Sequence, residues 1–185
     1  MRIVGGEFRG RALAAPKSND IRPTTDRTRE SLFNILAHSY PEALDRTRIL
    51  ELFAGTGAVG LEAISRGCQQ GLFVETSVEG RGLLRQNIET LGLQSRARIF
   101  RRDATDLGIV GTMEPFHILF ADPPYGKGLG EKAIAAAIKG GWLVPGALVI
   151  LEERADVAPV IPQGLTFIEE RAFGDTKMHF YRFGA

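Results

Sequence analysis

The chain has 185 residues, of which 44% are hydrophobic and 24% charged, with a net charge of +1. That composition can bury one core and excludes wholesale disorder. A single cysteine, Cys68, excludes an intrachain disulfide, and His38, His117 and His179 lack zinc-like spacing, so no metal is expected. The opening residues carry no long apolar stretch, and a cytoplasmic protein without a membrane span is expected.

The charge is uneven along the chain. Residues 1–30 hold seven basic side chains against four acidic ones. A basic end on a near-neutral body suits a polyanionic partner, although arginines on a solvated surface would look the same.

In chain order, 2–4 and 10–14 are short β-prone runs separated by Gly5-Gly6 and Gly10, which predicts an N-terminal hairpin or arm with flexible glycines. Residues 15–24 have loop composition. A helix should begin at Thr24 or Thr25, with Asp26 in its first turn and Leu32, Phe33, Ile35 and Leu36 on a buried face. Arg27 and Arg29 lie two apart on that helix, so they cannot both point the same way. One can meet a nucleic acid while the other pairs with Asp26 or Glu30. Beyond it, apolar runs at 48–53, 71–75, 97–100, 116–121 and 147–151 alternate with helical patterns at 58–66, 78–91 and 129–139. Such alternation predicts an α/β fold with a parallel sheet and helices on both faces. The last runs, 164–172 and 177–183, are separated by Gly174-Asp175 and should form an antiparallel hairpin. The expected division is a 1–20 extension and a 21–185 main domain.

Glu51-Leu-Phe-Ala-Gly55-Thr-Gly57-Ala-Val-Gly60 follows the first of these strands and opens a helix. In an open parallel sheet this is a ligand-binding position, and the glycines let a ligand approach the backbone. The spacing also fits a dinucleotide loop. Glu51 argues against that, because a carboxylate there would repel a pyrophosphate and attract the ammonium and sulfonium of S-adenosylmethionine. Glu75 closes the next strand, where an acid can bind ribose hydroxyls. Asp103 follows the third strand and either accepts from an adenine amine or caps the next segment.

Asp122-Pro-Pro-Tyr125 stands at the end of the strand 116–121, beside the glycine loop. An aromatic amine is a poor nucleophile because its lone pair is delocalised into the ring. Asp122 and the Pro123 carbonyl can accept its N–H groups and turn the lone pair towards a methyl sulfonium. The prolines restrict the backbone that carries those acceptors. Tyr125 offers a face on which an extruded base can stack. Gly126 and Gly128 leave the following loop able to move.

Four blocks carry a resemblance over nearly the whole chain: Arg2–Arg11, Arg22–Asn34, Leu50–Gly67 and Asp122–Tyr125, with Phe173–Lys177 as a weaker fifth. Together they resemble the RsmD family of bacterial 16S ribosomal RNA guanine-N2 methyltransferases. Glu51 stands where Asp is more usual and Thr56 where Ser is common. The resemblance implies a class I methyltransferase with a mostly parallel seven-stranded sheet. It implies transfer of one methyl from S-adenosylmethionine to the exocyclic amine of a single guanine, conventionally numbered 966. The implied substrate is an assembled or partly assembled small ribosomal subunit; a monomer is expected. By position, Glu51, Phe53, Ala54, Gly55, Thr56, Gly57, Glu75, Asp103, Ala104 and Asp122 would hold the cofactor. Asp122, Pro123 and Tyr125 would serve the reacting base. Arg2, Phe8, Arg9, Arg11, Arg22 and Arg27, with Tyr125, would face RNA.

Three other functions use parts of this pattern. A DNA adenine or cytosine amino methyltransferase shares the Asp-Pro-Pro-Tyr chemistry but usually needs a target-recognition segment for which this chain has little room. An NAD-dependent oxidoreductase leaves Asp122–Tyr125 unexplained. A noncatalytic RNA-binding assembly factor does not require both loops intact.

Overall fold

The computed structural model describes residues 1–21 and 23–184. Arg22, one of the arginines expected to face RNA, lies outside them. Four helices and seven strands alternate as expected: α1 (Asp26–Ser39), β1 (Arg48–Leu52), α2 (Ala58–Ser65), β2 (Gln70–Val74), α3 (Val78–Thr90), β3 (Ala97–Phe100), β4 (Phe116–Ala121), α4 (Leu129–Lys139), β5 (Leu143–Arg154), β6 (Leu165–Phe173) and β7 (Thr176–Phe183). Thr25 caps α1 by accepting the Thr28 N–H at 3.1 Å, and Asp26 lies in the first turn.

The sheet order is β3-β2-β1-β4-β5-β7-β6. The first five strands are parallel, and β7 runs antiparallel to both β5 and β6. Alternate strand residues feed two cores. Ile49, Phe73, Ile118 and Ile150 pack with α1, α2 and α3 through Phe33, Ile64 and Leu84. Leu50, Leu119 and Val149 pack on the other face with Ile134 of α4 and with Trp142.

Two expectations change. β5 begins at Leu143 and runs through Pro145-Gly146 as an irregularity in its pairing with β4, between the Phe116–Leu143 and Ile118–Leu148 pairs. The strand expected over 147–151 therefore starts four residues earlier, with Pro145-Gly146 accommodated as a bulge. The N-terminal arm is joined by a single bridge, Arg2 to Ala12, and Gly5 and Gly6 are packed, whereas a Cβ at Gly10 would meet nothing within 4 Å. A Cβ at Gly6 would stand 2.0 Å from the Ser65 carbonyl oxygen, with φ at +80°. Contact with α2 therefore holds the bend that the sequence suggested would be flexible. Ile3 and Leu13 enter the same core as Phe33 and Ile49.

Candidate active site

Strand order reverses between β1 and β4, which are neighbours with Leu52 in register with Ala121. A crevice opens at the carboxyl ends of the strands at such a point. The glycine loop leaves β1 and Asp122 leaves β4 on either side of it.

The loop needs glycine for two physical reasons. Gly57 sits at φ +77°, and a Cβ there would fall 2.2 Å from Leu84 Cδ1. At Gly60 a Cβ would stand 2.4 Å from Phe73 Cε1 and 2.9 Å from Glu51 Oε1, so only a hydrogen fits between α2 and β1. Phe53 also takes a left-handed conformation, φ 55°, which is uncommon for a bulky side chain and clusters at ligand sites.

Carboxylates order this end of the sheet. Glu51 is 4% exposed and its Oε1 accepts the Gly60 N–H at 2.9 Å, capping a helix that begins on a glycine. Glu75 accepts the Gly55 N–H at 2.7 Å through one oxygen and the Ser77 N–H at 2.8 Å through the other. Burial pushes the Glu51 carboxyl up to about 8; the Gly60 N–H opposes the rise, and the Asp122 and Glu75 carboxylates add to it.

Glu51 therefore links stability to pH. Between about pH 4.5 and 8 the folded chain keeps a proton that the unfolded chain has released. Its contribution is full below the lower value and is lost as pH rises through the upper one. Glu51→Gln should then be more stable than the parent at about pH 9 without ligand, by on the order of a few kcal/mol, and the gap should close near pH 4. Thermal melts of both proteins at the two pH values check this; a less stable variant at high pH contradicts it.

A cleft of about 530 Å³ is lined by Glu51, Phe53, Ala54, Gly55, Thr56, Glu75 and Asp122, all expected at a cofactor site. Gly57, Asp103 and Ala104 are not among the lining residues. Gly57 is the N-cap of α2. Asp103 caps a short turn, accepting the Thr105 N–H at 2.8 Å and its hydroxyl at 2.7 Å, and Ala104 is buried. Asn19, Asp20, Ile21, Pro23 and Thr24 complete the cleft from the loop before α1. Loop composition gave no signal of that role.

A second chamber of about 410 Å³ adjoins the first and shares Asp122, Pro23 and Thr24 with it. Tyr125 lines this one, together with Glu152, Arg154, Phe173, Asp175 and Thr176. The Phe173–Lys177 block thus lies beside the Asp-Pro-Pro-Tyr segment, which its distance in sequence concealed. Gly126 donates its N–H to Glu153 at 3.0 Å, so the loop beyond Tyr125 is tied to β5.

The basic residues divide. Arg2, Arg9, Arg11 and Arg27 are exposed. Phe8 packs partly on the core, with the Arg11 guanidinium 5.9 Å from its ring centre. Arg29 is fully buried, paired with Asp26 and donating to the Arg2 carbonyl at 2.5 Å. Of the two helix arginines, it is the structural one. No helix of the described residues is long and apolar enough to cross a membrane, and the described residues hold no cluster of three or more metal-ligating side chains.

Fold and cleft together define a class I, Rossmann-like methyltransferase. The chain belongs to the family described as Conserved hypothetical protein 95, which matches residues 1–182. Among curated relatives, Ribosomal RNA small subunit methyltransferase D of Escherichia coli (strain K12) is 38% identical across 98% of this chain and 89% of its own length. The Haemophilus influenzae protein of the same name is 32% identical across 98% and 93%. The solved structure of yhhF from Escherichia coli superposes with a TM-score of 0.84 at 33% identity, covering 100% of this chain and 98% of that one. The resemblance drawn from the sequence blocks holds.

Proposed function

We propose that this enzyme transfers a methyl group from S-adenosylmethionine to the exocyclic N2 amine of a guanine, position 966, in the 16S RNA of the small ribosomal subunit. The observation that carries the reading is the pair of adjoining chambers with Asp122 in the wall of both. Curated relatives named for small-subunit ribosomal RNA supply the RNA.

The first chamber fits the methyl donor in size and charge. Glu51, Glu75 and Asp122 line it; a cationic ligand lowers the raised Glu51 carboxyl, so the three acids favour a ligand bearing ammonium and sulfonium and disfavour a pyrophosphate. This speaks against the nicotinamide alternative. When bound, S-adenosylmethionine supplies an electrophilic methyl on a cationic sulfur. In this reading Glu75 accepts ribose hydroxyls beside the Gly55 and Ser77 N–H groups that it already binds, and the Phe53–Thr56 segment lines the cleft. Asp103 reaches the adenine amine in this reading only through the oxygen that does not bind Thr105.

In the second chamber the Asp122 carboxylate accepts an N–H of the target amine and aims its lone pair at the first chamber. After transfer Asp122 can take the proton the amine sheds. Tyr125 stacks on the base, a contact worth about 1–3 kcal/mol. Incubation with radiolabelled donor and undermethylated subunits, naked 16S RNA or DNA tests the whole reading, with mass mapping of the product. Label on the N2 of one guanine in subunits is expected; label in DNA alone, or nowhere, overturns it.

Exposed Arg27, two residues beyond the Thr25 that lines the second chamber, is placed to meet phosphates near its mouth. Arg27→Ala should weaken subunit binding and lower the salt dependence by about 0.7–1 in log–log slope. Filter binding across a salt series measures it; an unchanged slope removes Arg27 from the interface.

A further inference from the structure

The second chamber holds a carboxylate that the proposed chemistry has not used. Ala121, the last residue of β4, is in register with Leu151 of β5, so Asp122 leaves the strand end next to Glu152 of β5. Both line the second chamber, with Tyr125. Glu152 is 6% exposed, and its Oε2 accepts the Thr176 hydroxyl at 2.8 Å. Thr176 is set by the antiparallel pairing of β7 with β5, where it faces Arg154. The carboxylate is thus fixed in the wall by a strand that enters the sheet between β5 and β6.

Two adjacent acceptors match an edge with two adjacent donors. Guanine offers that edge: its N2 amine stands next to a ring N1–H. Adenine and cytosine place a ring lone pair beside their amines, and a carboxylate would repel it. We infer that Glu152 is the residue that selects guanine, accepting the ring N1–H while Asp122 accepts from the amine. The inference rests on the reading of the second chamber as an amine-methylation site and deepens it by naming what excludes adenine. A polar site built to pair with a donor rejects a base lacking it far more strongly than an apolar pocket could.

The test compares subunits carrying guanine or adenine at the target position, with the parent enzyme, Glu152→Gln and Thr176→Val. The parent should label the guanine subunits and leave adenine ones essentially unlabelled. In Glu152→Gln the amide can donate to the adenine ring nitrogen. Its rate on guanine should fall by about 100-fold, and the guanine-to-adenine ratio should fall at least about tenfold. Binding of S-adenosylhomocysteine should be retained, because Glu152 does not line the first chamber. Thr176→Val keeps the carboxylate but frees its orientation, and should lower the ratio in the same direction by less. If Glu152→Gln loses S-adenosylhomocysteine binding, the Thr176→Val ratio decides. A slower Glu152→Gln enzyme that keeps the parent ratio overturns the inference, since a merely structural role changes rate without changing choice. Failure of the parent to label guanine subunits overturns the proposed function instead, so the two failures are distinguishable.

Discussion

Asp122→Ala should reduce methyl transfer by about 10²–10⁴-fold while S-adenosylhomocysteine still binds. The side chain stands between two chambers and meets a different demand in each. In the first it is one of three acidic side chains, and Glu51 and Glu75 remain when it is removed. In the second it is the acceptor beside the reacting amine. Loss of the carboxylate also removes a neighbour that raises the Glu51 carboxyl, so Glu51 should ionise at lower pH in this variant. Single-turnover transfer and calorimetric titration with S-adenosylhomocysteine separate the two roles. Transfer at the parent rate would remove Asp122 from the chemistry. Loss of both activities together would make it chiefly a cofactor ligand.

The second large effect lies away from the chemistry. Glu62 on α2 is fully buried. It accepts the Val4 and Gly5 N–H groups, each at 2.9 Å, and pairs with Arg66 at 2.7 Å. Ser65 extends the clamp by donating to the Gly5 carbonyl at 2.6 Å and accepting the Phe8 N–H at 3.0 Å. Glu62→Ala leaves two amides and a mostly buried guanidinium without their carboxylate, which should cost about 3–5 kcal/mol. Denaturant unfolding should show a lower midpoint, and amide exchange at Val4 and Gly5 should quicken. A loss under about 1 kcal/mol would show that water replaces the carboxylate and that Ser65, with Ile3 and Leu13, suffices to hold the arm. The same clamp explains how exposed Arg9 and Arg11 can be presented from an ordered platform.

The local signals were legible where one stretch of chain carries the whole cause. Thr25 caps α1 through its own third neighbour, and the strand–helix alternation follows from periodicity. Glu51, Gly55 and Asp122 were identified because spacing after a strand places them at the switch point. Asp103 was ambiguous for an equally local reason, since a carboxylate before Thr105 satisfies a cap without any ligand. The start of β5 at Leu143, before the expected 147, was not legible because nothing in Pro145-Gly146 records that β4 lies alongside.

By itself, then, the sequence determined the class of sheet, the glycine loop, the Asp-Pro-Pro-Tyr strand end and, through its blocks, the family. Only the tertiary structure decided that the arm is packed and that Arg29 is buried while Arg27 is exposed. It alone placed Glu152 beside Asp122. Those outcomes depend on pairs far apart in the chain, such as Val4 with Glu62 and Glu152 with Thr176. Strand register and helix packing bring them together, and no local periodicity encodes either.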